Sequence, residues 1–293
     1  MIRDRKKMGW KRALKRAALA ASRVAPRPDP ATRRIVFCYH SVHPNRGFAS
    51  STPEIFERHV QWLKAHCNVT TLADIVANRN AHNSGRPLVA LTFDDGYEDN
   101  HSYALPILSK HGVKATFFIT AGLVDRDPAV LRRLQWLWGC RPDEVVPLNW
   151  EQVRELHASG MDIGAHTYSH PNLARLSAVE AADELRRSRD VISDQLGVAV
   201  DLFAYPFGKP DVHFTRTTID VVRAQGYRIA TAVTFRGVRD SDSVYTIPRF
   251  FTDGDDVTKL DAKIAGLYDV IGWWQDHAPL SVKRLVSPDD FRR

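Results

Sequence analysis

Residues 87–96 read Pro-Leu-Val-Ala-Leu-Thr-Phe-Asp-Asp-Gly, a mostly apolar run that stops on two adjacent carboxylates and a glycine. An unbroken apolar run of this length, bounded by turn residues, is the pattern of a strand buried on both faces. Similar runs occupy residues 35–39, 115–120, 162–165, 202–205, 228–233 and 244–250. Helical periodicity separates most of them, over residues 53–66, 99–111, 150–159 and a last stretch from about 255 to 274. Ser177 and Glu180 form a capping-box signature that opens a long helix ending near Leu196, where Gly197 can close it. Residues 122–148 look less regular. Strands followed in turn by helices predict an α/β chain, a distorted (β/α) barrel of about seven strands. Chemistry in such barrels collects beyond the C-terminal strand ends. There the polar residues His40, Asp94, Asp95 and His166 fall, together with the turn at 205–208.

Charge divides the chain in two. Residues 1–34 hold twelve Lys/Arg against Asp4 and Asp29, a local +10, so the other 259 residues carry −3 of the net +7. A mildly acidic body argues against nucleic acid as the partner. The basic segment reads as an appendage, residues 1–34, ahead of one catalytic domain over 35–293. Written as a helix, residues 8–24 put Trp10, Leu14, Ala17, Ala18 and Ala21 on one side and basic residues elsewhere. That suits peripheral contact of residues 1–24 with an anionic membrane, and equally a solvated basic tail. Prolines at 26, 28 and 30 mark a linker.

The apolar stretch 17–21 is too short for a signal peptide, and Arg23 follows at once. No later segment has the uninterrupted apolar length of a membrane span. The expected location is cytoplasmic, with the inner membrane face as the place for the tail. Three cysteines, Cys38, Cys67 and Cys140, cannot all pair, and none stands in a C-x-x-C, so a cysteine zinc site has no support.

Thr92-Phe93-Asp94-Asp95-Gly96-Tyr97 places two carboxylates at a strand end, where burial is costly unless a metal or a cation matches them. A solvated Asp-Asp-Gly turn is the plainer reading of that motif alone. His166-Thr167-Tyr168-Ser169-His170 offers two imidazoles at i and i+4, which meet on one face if the segment is helical. Together the motifs supply two nitrogens and one oxygen. Three protein ligands with open positions is the arrangement of a hydrolytic metal site.

These runs, with Phe203-Ala204-Tyr205-Pro206-Phe207-Gly208, resemble the polysaccharide deacetylases with a NodB homology domain, the family-four carbohydrate esterases. Cys38-Tyr39-His40-Ser41-Val42 and the helix after it look most like the branch of bacterial poly-N-acetylglucosamine deacetylases. The resemblance implies Asp94 as general base and Asp95, His166 and His170 as metal ligands. The ion it implies is Zn2+, with Co2+, Ni2+ or Fe2+ as substitutes. Tyr205, Pro206 and Phe207 would line the sugar groove, with the Phe207 backbone N–H facing the oxyanion. It also implies an N-acetylated glycan as substrate and acetate as product. The rival reading keeps the metal site but gives it another non-peptide C–N bond, of the imide or ureide type, in a small molecule.

Two departures matter. The family's arginine, two positions before the third-motif proline, is replaced here by Ala204. Arg249, counted with Tyr205, Pro206 and Phe207 among the substrate-binding residues, could supply that charge at the site, or could make an ordinary surface salt bridge. A C-terminal Leu-x-His is also lacking. His40 takes the place of the general acid in the named branch, and His277 is the fallback.

Overall fold

The structure, a computed structural model, describes residues 28–45, 51–78, 85–138, 146–252 and 254–286. The expected helix at 8–24 lies outside the described residues, as do Cys140 and the side chains of Trp136 and Trp138. The described residues form eight strands, β1 (Arg34–Tyr39), β2 (Asn68–Thr70), β3 (Leu88–Phe93), β4 (Thr116–Ile119), β5 (Asp162–Ala165), β6 (Leu202–Ala204), β7 (Ile229–Val233) and β8 (Ile247–Phe251).

All the pairings are parallel. Strand β1 pairs with both β3 and β8, so β1, β3, β4, β5, β6, β7 and β8 close into a seven-stranded barrel. The anticipated barrel is therefore present. Strand β2 pairs with the first half of β3 and β4 with its last residues, which makes β2 an addition to the wall. The wall is uneven. One register pair, Ala165↔Phe203, joins β5 to β6, whereas six join β1 to β3.

Alternation along the strands sorts the apolar residues into two layers. Val36, Ala90, Phe118, Leu202, Ala204, Ile229 and Ile247 pack together inside the barrel, with Leu72, Ile75 and Val238. Their neighbours, among them Phe37, Tyr39, Leu91, Phe93, Phe117, Ile119, Phe203 and Phe250, face the surrounding helices. Gly164 is required by this interior, because a Cβ there would lie 2.5 Å from the Phe118 ring.

Local signals explain most helix ends. Thr52 caps the helix Pro53–His66, which starts on proline. Ser177 and Glu180 make both halves of a capping box on Ala178–Leu196, and Gly197 ends that helix at φ 69°. Elsewhere the chain departs from expectation. The stretch from 255 splits into Val257–Ile264 and Asp269–His277 at Gly266 (φ 83°), followed by Leu280–Val286. The irregular region contains helices Ala121–Val124 and Pro128–Trp138, and the short pair Asn68–Thr70 and Leu72–Ala77 was not anticipated. The helix expected from 99 starts as a π-turn, Asn100–Ala104, in which the Leu105 N–H reaches back to the Asn100 carbonyl. Pro106 has no N–H with which to restore the usual register.

Arg33 and Arg34, counted with the tail by charge, are built into the body. The Arg33 guanidinium donates to the Ile264 and Lys263 carbonyls at 2.7 and 3.1 Å and pairs with Asp269 at 2.6 Å, closing the end of helix Val257–Ile264. Among the described residues no helix is long and apolar enough to cross a membrane.

Candidate active site

His40, Asp94 and His166 each follow the last residue of a strand, β1, β3 and β5. Each also lies two positions past an inward residue, Cys38, Thr92 or Gly164, so the strand pleat aims all three over the barrel mouth. At Asp95 the backbone turns into the left-handed region, φ 77°, which swings the second carboxylate away from the first. Asp95 Oδ1 then stands 3.6 Å from His166 Nε2 and 3.4 Å from His170 Nε2. One ligand atom from each of Asp95, His166 and His170 lies within 4.8 Å of the others, and all three residues are buried.

The donor set fits a divalent cation. His166 Nδ1 lies 2.7 Å from the Ala204 carbonyl, to which it donates, so the Nε2 lone pair is left facing Asp95. The Tyr97 hydroxyl donates to Asp95 Oδ2 at 2.9 Å, while Oδ1 has no hydrogen-bond partner. Leaving a buried carboxylate oxygen unsatisfied is costly, and a cation between Oδ1 and the two imidazoles removes that cost. Burial pushes the Asp95 carboxyl up against the opposing pull of His40 and His166. Burial, then the neighbouring His166, pushes His170 well below the usual imidazole range, towards the neutral form that ligates metals.

The two histidines do not meet on a helix. Thr167 and His170 both have positive φ, 64° and 55°, and the segment is an irregular turn. Thr167 Oγ1 accepts the His170 N–H at 2.9 Å, and the rings approach to 4.9 Å.

Arg249 overturns both the surface-pair reading and its assignment to substrate. It occupies an inward position on β8, is fully buried, and forks onto Asp94 with Nη1–Oδ1 and Nη2–Oδ2 both at 2.7 Å. Nη1 also donates to Thr92 Oγ1 at 3.0 Å, and the guanidinium carbon lies 5.4 Å from the Phe118 ring centre. Burial alone would raise the Asp94 carboxyl. Arg249, with His166 behind it, instead holds it well below the usual carboxylate range. Cys38, His40 and Asp94 also cluster at ligand distance, but both Asp94 oxygens already carry the guanidinium fork.

His40 sits half-buried at the mouth, 5.3 Å from the Phe251 ring. His277 does not reach the site. It is exposed on the helix Asp269–His277, stacked on Trp273. Two residues that sequence reasoning missed fix the loop carrying His40. Asp99 accepts from Ser41 Oγ at 2.5 Å and from the Val42 N–H at 3.0 Å, and Asn100 Nδ2 donates to the His40 carbonyl at 2.8 Å. Their only sequence signal is an Asp-Asn pair just after the first motif.

The third motif divides. Phe207, half-buried at φ 61°, stands edge-on to His170 at 4.6 Å, and Pro206 is buried beside it. Tyr205, expected in the groove, is 1% exposed and stacked on Phe214 at 3.7 Å, on the outward face of the barrel wall. Its ring has no surface to offer a sugar. Tyr97 and Tyr168 are likewise buried.

A sequence profile of the family described as Polysaccharide deacetylase matches residues 81–230, just over half of the chain. The poly-beta-1,6-N-acetyl-D-glucosamine N-deacetylase of Staphylococcus aureus is 22% identical over 241 residues, 76% of this chain and 77% of that one. The peptidoglycan-N-acetylglucosamine deacetylase of Bacillus cereus is 30% identical over 122 residues, 41% of this chain but only 36% of that protein. Among solved structures, IcaB from Ammonifex degensii superposes with a TM-score of 0.65 at 26% identity, covering 80% of this chain and 97% of that one. The Streptococcus pyogenes deacetylase PplD, solved with acetate, shares the fold at a TM-score of 0.66 and 21% identity, over 79% of this chain and 98% of that one. The profile match over residues 81–230, the span that holds Asp94, Asp95, His166 and His170, places the chain in the polysaccharide deacetylase family.

Proposed function

We propose that the protein is a metal-dependent hydrolase that removes N-acetyl groups from the amino sugars of a glycan and releases acetate. The convergence of Asp95, His166 and His170 on one buried point carries this reading. A divalent ion held there, Zn2+ by the family's habit, would polarise the acetamide carbonyl and acidify water. Asp94 takes the proton from the attacking water. The Arg249 fork takes one lone pair on each Asp94 oxygen and the Cys38 thiol approaches Oδ2 at 3.4 Å, so Oδ1 keeps a lone pair to accept. The backbone N–H of Phe207, whose ring stands edge-on to His170, is the donor for the oxyanion. His40 protonates the departing amine, held by its Asn100 and Asp99 anchors. The half-buried Phe207 ring offers an apolar face for the sugar.

The test is acetate release from N-acetylglucosamine oligomers by the purified chain. Chelation should abolish turnover, and zinc or cobalt should restore it. Asp94→Asn should keep the ion and lose turnover, whereas His166→Ala should lose both. Activity that survives complete metal stripping would contradict the proposal.

A further inference from the structure

We infer that Glu184 is a positioning residue that sets metal affinity by gripping the turn that delivers His170; this rests on Asp95, His166 and His170 being the metal site. The turn 166–170 contains two residues with side chains in the left-handed region, Thr167 at φ 64° and His170 at φ 55°. Such conformations are disfavoured for residues other than glycine and persist only where their surroundings impose them. Contacts from three places outside the turn do so. The Ala121 and Gly122 N–H groups donate to the Thr167 and Tyr168 carbonyls at 3.3 and 2.8 Å. From the other side, Glu184 accepts both the Ser169 N–H at 2.8 Å and the Ser169 hydroxyl at 2.6 Å, one on each carboxylate oxygen. One helical turn along, Arg187 lies over the Tyr168 ring at 3.4 Å.

Glu184 is the member of this set that bonds Ser169, the residue next to His170. Ser169 immediately precedes His170, so fixing both its amide and its hydroxyl fixes the direction in which the chain enters His170. The anchor is firm, because helix Ala178–Leu196 is capped at both ends and buries Ala181, Leu185, Ser188 and Ile192. Glu184 touches no reacting group. It acts through Ser169 on the distance from His170 Nε2 to Asp95 Oδ1, 3.4 Å here. Groups that orient metal ligands from outside the coordination shell typically change metal affinity about 10–100-fold when removed.

The experiment measures the Zn2+ dissociation constant of the full chain, stripped of metal, by competition with a chromophoric chelator. Wild type, Glu184→Ala, Glu184→Gln and Asp183→Ala are compared. Asp183 lies on the same helix, exposed and paired with Arg186, and does not touch the turn. Glu184→Ala should weaken Zn2+ binding about 10–100-fold. Glu184→Gln retains one acceptor oxygen and should fall between it and wild type, and Asp183→Ala should match wild type. Melting of the metal-free proteins separates positioning from support. If Glu184→Ala melts lower yet binds Zn2+ as wild type does, the residue only braces the fold and the inference is overturned. If Glu184→Ala does not fold, Glu184→Gln decides, and wild-type affinity in that variant overturns the inference. A wild-type chain that binds no Zn2+, Co2+, Ni2+ or Fe2+ overturns the metal reading itself.

Discussion

Replacing Arg249 by methionine keeps most of the side-chain volume and removes the one guanidinium that matches Asp94. The pair is buried at both ends, with Arg249 fully covered and Asp94 3% exposed, and it makes two bonds of 2.7 Å. Breaking a buried pair from one side strands the other charge, and costs about 3–5 kcal/mol. For a chain of this size that is a fall in melting temperature of roughly 5–8 °C. The pH dependence gives the sharper signature. In the wild type the folded-state carboxyl lies below its unfolded value, so the pair's contribution is present above about pH 4 and is lost only as pH falls through the depressed value. In Arg249→Met the raising effect of burial is no longer overcome, so the folded carboxyl lies above its unfolded value. That variant therefore loses stability as pH rises from about 4 towards the raised value. The gap between the two proteins should be largest near neutrality and should narrow as pH falls below about 4 towards the depressed value.

Thermal melts of the metal-free chains across this range provide the measurement, chelator being present so that metal binding does not add its own stability. Asp94→Asn/Arg249→Met removes both charges and should be more stable than the sum of the single losses allows, because neither partner is then stranded. Arg249→Met melting within two degrees of wild type at pH 7, or losses in the double variant that simply add, would refute this account.

His40→Gln should lower kcat about 10^2- to 10^4-fold with metal content unchanged, whereas His277→Ala should leave kcat at wild type; steady-state acetate release with metal analysis reads both. Gly164→Ala drives a methyl to 2.5 Å from the Phe118 ring and 2.9 Å from the Leu202 carbonyl, and should cost about 1–3 kcal/mol in a denaturant titration. Deleting residues 1–27 should abolish sedimentation with anionic vesicles at low salt while leaving metal binding and turnover in place. Equal sedimentation of both forms would remove the tail from membrane contact.

What could be read from the sequence was local. Asp94, Asp95 and His166 sit at strand ends, and a strand end is written in a few consecutive residues: Leu91-Thr92-Phe93 before Asp94 and Asp95, Ile163-Gly164-Ala165 before His166. The barrel itself was legible for the same reason. The partnership of Asp94 with Arg249 was not, since 155 positions separate them and only the closed wall, with β1 paired to both β3 and β8, brings the two strands together. A signal existed: one arginine inside the apolar strand Ile247–Phe251 has to be matched if the strand is buried on both faces. The i,i+4 spacing of the histidines misled, because three residues between two ligands fit a helix and an irregular turn equally well. Only the bonds from Ala121, Gly122 and Glu184 select the turn. Tyr205 misled through its neighbours, for the residue before Pro206-Phe207 still obeys the pleat of β6 and points outward into Phe214.

Two adjacent carboxylates, chemically alike, end in opposite electrostatic states, and the geometry gives the cause. The left-handed backbone at Asp95 separates the side chains, so that different partners reach them. Asp94 stays on the inward register, where Arg249 rises from within the barrel to meet it, and its carboxyl is held down. Asp95 finds a tyrosine on one oxygen and two imidazoles near the other, none of them a permanent charge, and burial pushes its carboxyl up. Environments that drive two like groups apart assign their roles. The acid already neutralised by a fixed guanidinium remains ionised and can take a proton from water. The acid lacking a permanent cation is the one with affinity to spare for a metal. Exchanging the roles would require Arg249 to reach Asp95, which the inward register of β8 does not allow.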